Sequence, residues 1–213
     1  MTGGQAVVKA LEKEGTNIVF GLPGIHILGI YDALYDSKIR HVLVRHEQSA
    51  AFMADAYSRT TGRVGVCLTT TGPGATNAVT ALATAYCDSS PVLLITGQIP
   101  SKLVGRGKGA LHEVDQLSIL RPLTKWNKCV KKVEEIPPTI HQAFKSMKLE
   151  RPRPIQIEIP IDILEAAGEV DFTWQEDDVL QKPSGSLETI KDAVLLLVNS
   201  KAPIILAGGG VLR

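Results

Sequence analysis

Val92-Leu93-Leu94-Ile95-Thr96, in the middle of the chain, restricts the fold more than any other segment. A strand with one face in water alternates apolar and polar residues, whereas an unbroken apolar run of this length suits a strand covered on both faces. Such strands belong to parallel sheets, whose crossovers lay helices over both sides. The rest of the chain keeps the rhythm that this requires. Asn17–Phe20, His41–Val44, Val64–Thr69, Trp126–Val133 and Ile155–Ile159 read as five further strands. Helical patterns lie between them at about 4–14, 27–36, 47–61 and 137–149, and a fifth carries Ala75, Val79, Leu82 and Tyr86 at 3.6-residue spacing. The predicted fold is α/β: a three-layer αβα arrangement with a six-stranded, mainly parallel sheet, helices on both faces and right-handed crossovers. Alternation of Ile155, Ile157 and Ile159 with Gln156 and Glu158 predicts that the last strand is half-buried.

At 213 residues the chain exceeds one such domain. The first domain spans 1–167. Residues 168–186 mix acids, Pro183, Gly185 and serines and read as a linker. Residues 187–213 offer one helix pattern, Leu187–Asn199, and one strand pattern, Pro203–Ala207, ending in Gly208-Gly209-Gly210: the truncated start of a further domain. Charge narrows the function. Lys+Arg 23 against Asp+Glu 22 leaves a net charge of +1, so there is no electrostatic case for nucleic acid or a membrane surface. No apolar run reaches the ~20 residues of a membrane span, and the first residues lack the pattern of a signal peptide. Cys67, Cys87 and Cys129, with no C-x-x-C, read as reduced thiols of a cytoplasmic protein. The five histidines show no metal-ligand spacing, so no metal site is expected.

Arg45-His46-Glu47-Gln48-Ser49-Ala50-Ala51 sits where a strand passes into a helix, the place where parallel sheets build their sites. Taken alone, Glu47 favours a structural reading, since a carboxylate in the first helical turn complements the macrodipole. Ala50, Ala54 and Ser58 form a stripe of small residues, open to packing on the sheet or to a helix of a second subunit. Thr69–Asn77 is another strand-to-helix turn, whose free N–H groups would suit an anion. Gly105, Gly107 and Gly109 mark a mobile loop, but not a Walker A loop, because Lys102 stands where its first glycine belongs. Gly208–Gly210 opens a dinucleotide fingerprint whose third glycine would fall at Arg213. His112, just beyond the glycine-rich loop, reads on its own as a surface histidine.

In order, the segments Val19-Phe20-Gly21-Leu22-Pro23-Gly24, Arg45–Ala54, Thr71–Asn77, Pro91–Gly97 and Ile155–Asp162 resemble the pyrimidine-binding domain of thiamine-diphosphate enzymes. The acetolactate synthase-like branch is the most similar. Lys201–Val211 then looks like the entry to that family's central domain. The resemblance implies that Glu47 is catalytic, sharing a proton with a ring nitrogen of the aminopyrimidine. That stabilises the imino tautomer through which the cofactor activates its own thiazolium carbon. It also implies that Leu22, Pro23, Gly24, Thr70, Pro73 and Asn77 line the cofactor pocket. The diphosphate is expected on Mg²⁺ in a C-terminal domain, so the turn at Gly72–Gly74 is not the anion site. Leu111-His112-Glu113 departs from the Phe-Gln-Glu usual in that branch, and His112 is expected to act as an acid/base or substrate-orienting group. The implied activity is decarboxylation of a 2-keto acid and/or ligation of the resulting unit, in a homodimer or tetramer. Binding of FAD by the central domain is left open, and the 213-residue piece alone is expected to be inactive. The alternatives are a separate pyrimidine-domain subunit of a two-chain 2-keto acid decarboxylase, and a nucleotide-binding Rossmann-like protein.

Overall fold

A computed structural model describes residues 1–107, 109–149, 151–174 and 184–212. The chain divides into two compact units, Met1–Glu176 and Asp177–Arg213.

In the first unit six strands form one parallel sheet in the order β2-β1-β3-β4-β6-β5. They are β1 (Ile18–Gly21), β2 (Arg40–Leu43), β3 (Gly65–Thr69), β4 (Val92–Gln98), β5 (Trp126–Cys129) and β6 (Ile155–Pro160). The helices are α1 (Gly3–Lys13), α2 (Leu28–Tyr35), α3 (Glu47–Thr61), α4 (Pro73–Asn77), α5 (Val79–Cys87), α6 (Gln116–Leu120), α7 (Ile136–Leu149) and α8 (Ile161–Glu165). The three-layer α/β fold is therefore as the sequence predicts, and the sheet is parallel throughout.

Strand side chains alternate between two cores. Val19, Val66, Leu68, Leu93, Ile95, Ile155, Ile157 and Ile159 pack with α1, α2 and α7. Phe20, Cys67, Val92 and Leu94 pack with the alanine-rich faces of α3 and α5. The central strands β3 and β4 are buried along their whole length, which is why Val92–Ile95 carries no polar residue. The small-residue stripe of α3 is taken up by this packing. Ala50, Ala54 and Ser58 are buried, and a Cβ at Gly65 would lie 2.0 Å from the Ala54 carbonyl oxygen.

Three expectations change. β6 is buried at all six positions, not half-buried, because its Gln156–Glu158 face lies in a polar layer that includes Gln116 of α6. β5 stops at Cys129, and Val133–Glu135 is already a 3-10 turn leading into α7. Residues 168–174 of the expected linker pack on the first unit. Val170, Phe172 and Trp174 lie against its core, and Met1 and Gly168 exchange backbone hydrogen bonds. Residues 175–183 of that linker lie outside the described residues.

In the second unit α9 (Leu187–Asn199) begins at Ser186, whose hydroxyl accepts from the Thr189 N–H at 3.1 Å. The expected strand at 203–207 does not form: Pro203–Ala207 is irregular, with Leu206 98% exposed. A strand needs a neighbour for its ladder, and the described residues of this unit offer none.

Candidate cofactor site

A parallel sheet puts all strand-to-helix turns on one rim, and the chain reverses direction across this sheet between β1 and β3. Crevices at such reversal points are where α/β domains bind ligands. The turns at and beside this one are those after β1 (Leu22–Gly24), β2 (Glu47) and β3 (Thr70–Asn77), the three segments singled out in the sequence.

Glu47 is the first residue of α3, whose N-cap is His46; the imidazole Nδ1 accepts from Gln48 N–H at 3.2 Å. This capping histidine leaves the glutamate free for another task. Glu47 is only 7% exposed, and Asn77, the last residue of α4, donates from Nδ2 to its Oε2 at 2.9 Å. The other oxygen faces Gly74: a Cβ there would lie 3.3 Å from Glu47 Oε1 and 2.7 Å from Thr70 Cγ2. A Cβ at Gly24 would likewise strike Thr70 Cβ at 2.4 Å. Gly24, Thr70, Gly74, Glu47 and Asn77 thus form one continuous surface. Leu22 packs at its edge against the α3/α5 core, and Pro23 and Pro73 are exposed. The Glu47 carboxylate is felt beneath. Burial pushes the thiol of Cys67 and the phenol of Tyr31 far up, and Glu47 adds to both shifts.

His112 also reaches this place. Gly72 has φ +60°, and a Cβ on it would lie 2.2 Å from the His112 carbonyl oxygen, so only glycine lets the loop come this close. His112 itself has a left-handed φ of 64°. Its ring lies 6.2 Å from that of His26, whose Nδ1 is 3.4 Å from Thr70 Oγ1. His26 is buried, and burial, with His112 second, lowers its pKa. His26 is a site residue that the motif reading missed. The available signal was its position two residues beyond Gly24 in the same turn.

The glycine-rich loop has positive φ at Gly105, Gly107 and Gly109, and Glu113 accepts from Gly105 N–H at 2.9 Å; Lys108 lies outside the described residues. The fingerprint reading of Gly208–Gly210 lacks its structural setting, since those residues do not follow a strand. Its remaining position, Arg213, lies outside the described residues.

The fold and site together define a parallel α/β binding domain with a buried carboxylate and a facing amide at the sheet's reversal point. The donor set fits an aminopyrimidine, since a buried carboxyl with one oxygen held by Asn77 and the other beside Gly74 suits a ring nitrogen. The profile of the family described as thiamine pyrophosphate enzyme, N-terminal TPP binding domain, matches residues 1–119. This chain belongs to that family.

Among its relatives, the probable acetolactate synthase large subunit of Methanocaldococcus jannaschii is 48% identical over 219 residues, covering all of this chain and 36% of the relative. Acetolactate synthase isozyme 1 large subunit of Escherichia coli is 42% identical over 213 residues, covering all of this chain and 38% of the relative. The probable 2-ketoarginine decarboxylase AruI of Pseudomonas aeruginosa is 42% identical over 216 residues, with the same two coverages. The chain thus spans little more than a third of the length of these relatives.

Proposed function

We propose that this chain provides the pyrimidine half of a thiamine-diphosphate site in an enzyme acting on a 2-keto acid, with Glu47 as the activating carboxyl. The observation that carries this reading is the Glu47–Asn77 pair at the mouth of the β1/β3 reversal. When bound, the cofactor supplies a nucleophilic carbon and an electron sink for cleavage beside the keto group. The protein's part is to hold a proton. Asn77 fixes Glu47 Oε2, which leaves Oε1 to share a proton with the ring nitrogen. Leu22, Pro23, Gly24, Thr70 and Pro73 would border the ring. His112, whose ring lies 6.2 Å from that of His26, would be the substrate-orienting or proton-donating group.

The relatives carry names of two kinds, a synthase and a decarboxylase of a keto acid, so ligation and simple decarboxylation both fit. Mg²⁺ would be bound with the diphosphate by a C-terminal domain, FAD would belong to the central domain if it is bound at all, and a second copy would complete the site in a dimer or tetramer. A cytoplasmic setting agrees with the free thiols. The test is Glu47→Gln in the whole protein. Turnover of 2-keto acids should fall by about 10²-fold or more, while calorimetry still detects thiamine diphosphate. Wild-type turnover by the variant would overturn the reading.

A further inference from the structure

Under the Thr71–Gly72 turn lies a closed layer of polar side chains. Thr71, Thr96, Gln98, Gln116, Gln156 and Glu158 are all buried, on the face of β4 and β6 turned away from the isoleucines. Gln116, the first residue of α6, is at its centre. Its Oε1 accepts from Gly72 N–H and lies within reach of the Thr71 hydroxyl, both at 3.2 Å. Its Nε2 donates to Gly97 O at 2.7 Å and to Thr96 Oγ1 at 3.2 Å. One amide therefore ties the turn that carries Pro73, Gly74 and Asn77 to the end of β4. It lies four residues beyond His112, so the same side chain anchors the loop that folds over Gly72.

Gln156 makes a useful contrast. It is equally buried, but among the described residues its Nε2 donates to Thr96 alone, at 3.0 Å, and its Oε1 has no partner. Burying an amide with an unmet polar atom is costly, a cost that an apolar layer avoids. What the layer gains at Gln116 is a fixed backbone at Gly72.

We propose that Gln116 is a positioning residue for the cofactor pocket, holding the Thr71–Gly72 turn so that Asn77 and Glu47 meet and the His112 loop sits in register above them. This rests on the reading of the pocket as a thiamine-diphosphate site. The supporting geometry is three hydrogen bonds of one amide, accepted from Gly72 N–H and donated to Gly97 O and Thr96 Oγ1, beside a Thr71 hydroxyl whose single proton can go to Gln98 Oε1 at 3.0 Å or to Gln116 Oε1 at 3.2 Å.

The test is calorimetric binding of thiamine diphosphate with Mg²⁺ to the whole protein. Gln116→Met keeps the volume and removes the hydrogen bonds; its Kd should rise by about 10- to 100-fold, the scale set by small misplacements of a binding group. Gln116→Glu keeps the accepting oxygen but sets a second oxygen against Gly97 O, beside buried Glu158, so its Kd should rise as well. Gln156→Met, which removes a side chain that does not reach the turn, should leave Kd unchanged. If Gln116→Met does not fold, Thr71→Val removes the hydroxyl that Gln98 and Gln116 share under the same turn and should weaken binding. Equal Kd changes in Gln116→Met and Gln156→Met would reduce Gln116 to general packing and overturn the proposal. A wild-type Kd in Gln116→Met would overturn it while leaving the pocket reading intact. Failure of the wild type to bind would remove both.

Discussion

His26 is held in a place that disfavours its proton. The unfolded chain takes up that proton near pH 6.5, whereas the folded protein, with the ring buried and His112 beside it, takes it up at lower pH. Below about pH 6.5 the unfolded state therefore binds more protons, and stability falls as the pH drops through that window. His26→Gln should flatten this part of the stability profile measured by urea melts from pH 7 to pH 5. His112→Ala removes the second cause, so the His26 imidazole, followed by NMR, should titrate closer to its ordinary value. An unchanged titration would break the link between the two rings. Neither ring's role could be read from its own neighbourhood. The partners of His26, Thr70 and His112, come from other strand ends, far along the chain. Glu47 was legible only through its whole motif, because a first-turn carboxylate has an ordinary structural explanation, and Asn77 lies 30 residues away.

The elements of the first unit follow their sequence patterns where one face of each element meets one core. α3 begins and ends as its pattern indicates, at Glu47 and before Gly62 in the left-handed conformation. The small residues of that helix also showed that something approaches closely, but not what. The approaching backbone is Gly65 at the start of β3. Gly65→Ala should destabilise the domain by about 3 kcal/mol in chemical denaturation, because backbone blocks the new methyl and cannot give way as a side chain could; a loss below about 1 kcal/mol would mean that α3 slides freely on the sheet. β6 shows where periodicity misleads. Its alternation is real, yet the polar face meets other amides and not water. A period reports that two faces differ and says nothing of whether the second is wet. Glu158 illustrates the consequence, since burial raises its carboxyl above the usual range against the pull of hydrogen bonds from Gln116, Gln98 and Cys129. At 203–207 an apolar run stays irregular for the opposite reason: composition prepares a strand, but a ladder needs a partner.

At the scale of the molecule, the first unit extends past the point where its sheet is complete. The segment 168–174 is fastened by aromatic and cationic contacts. Trp174 stacks on His141 with ring centres 4.9 Å apart, Lys13 Nζ stands 4.6 Å over the Trp174 ring, and Lys9 reaches the Phe172 ring at 5.5 Å. His141 is held in turn by Glu14, Nδ1 to Oε1 at 2.6 Å. Trp174→Ala should lower stability by about 2 kcal/mol, at the low end for an aromatic truncation because the ring is only half-buried, and should increase amide exchange in 168–174 more than elsewhere. Uniform exchange would mean that the segment is not separately fastened. The composition of 168–186, rich in acids, proline, glycine and serine, concealed this, because three apolar residues among many polar ones suffice to dock a strap.

Because every strand runs the same way, the residues of the candidate site emerge on one rim, and the opposite rim carries connections such as Ser37–Ile39, Gly62–Val64 and Asp88–Pro91. None of the residues named in the candidate site lies on those connections. A reporter attached at an exposed position there, such as Lys38 or Arg63, would sit on the rim away from the candidate site.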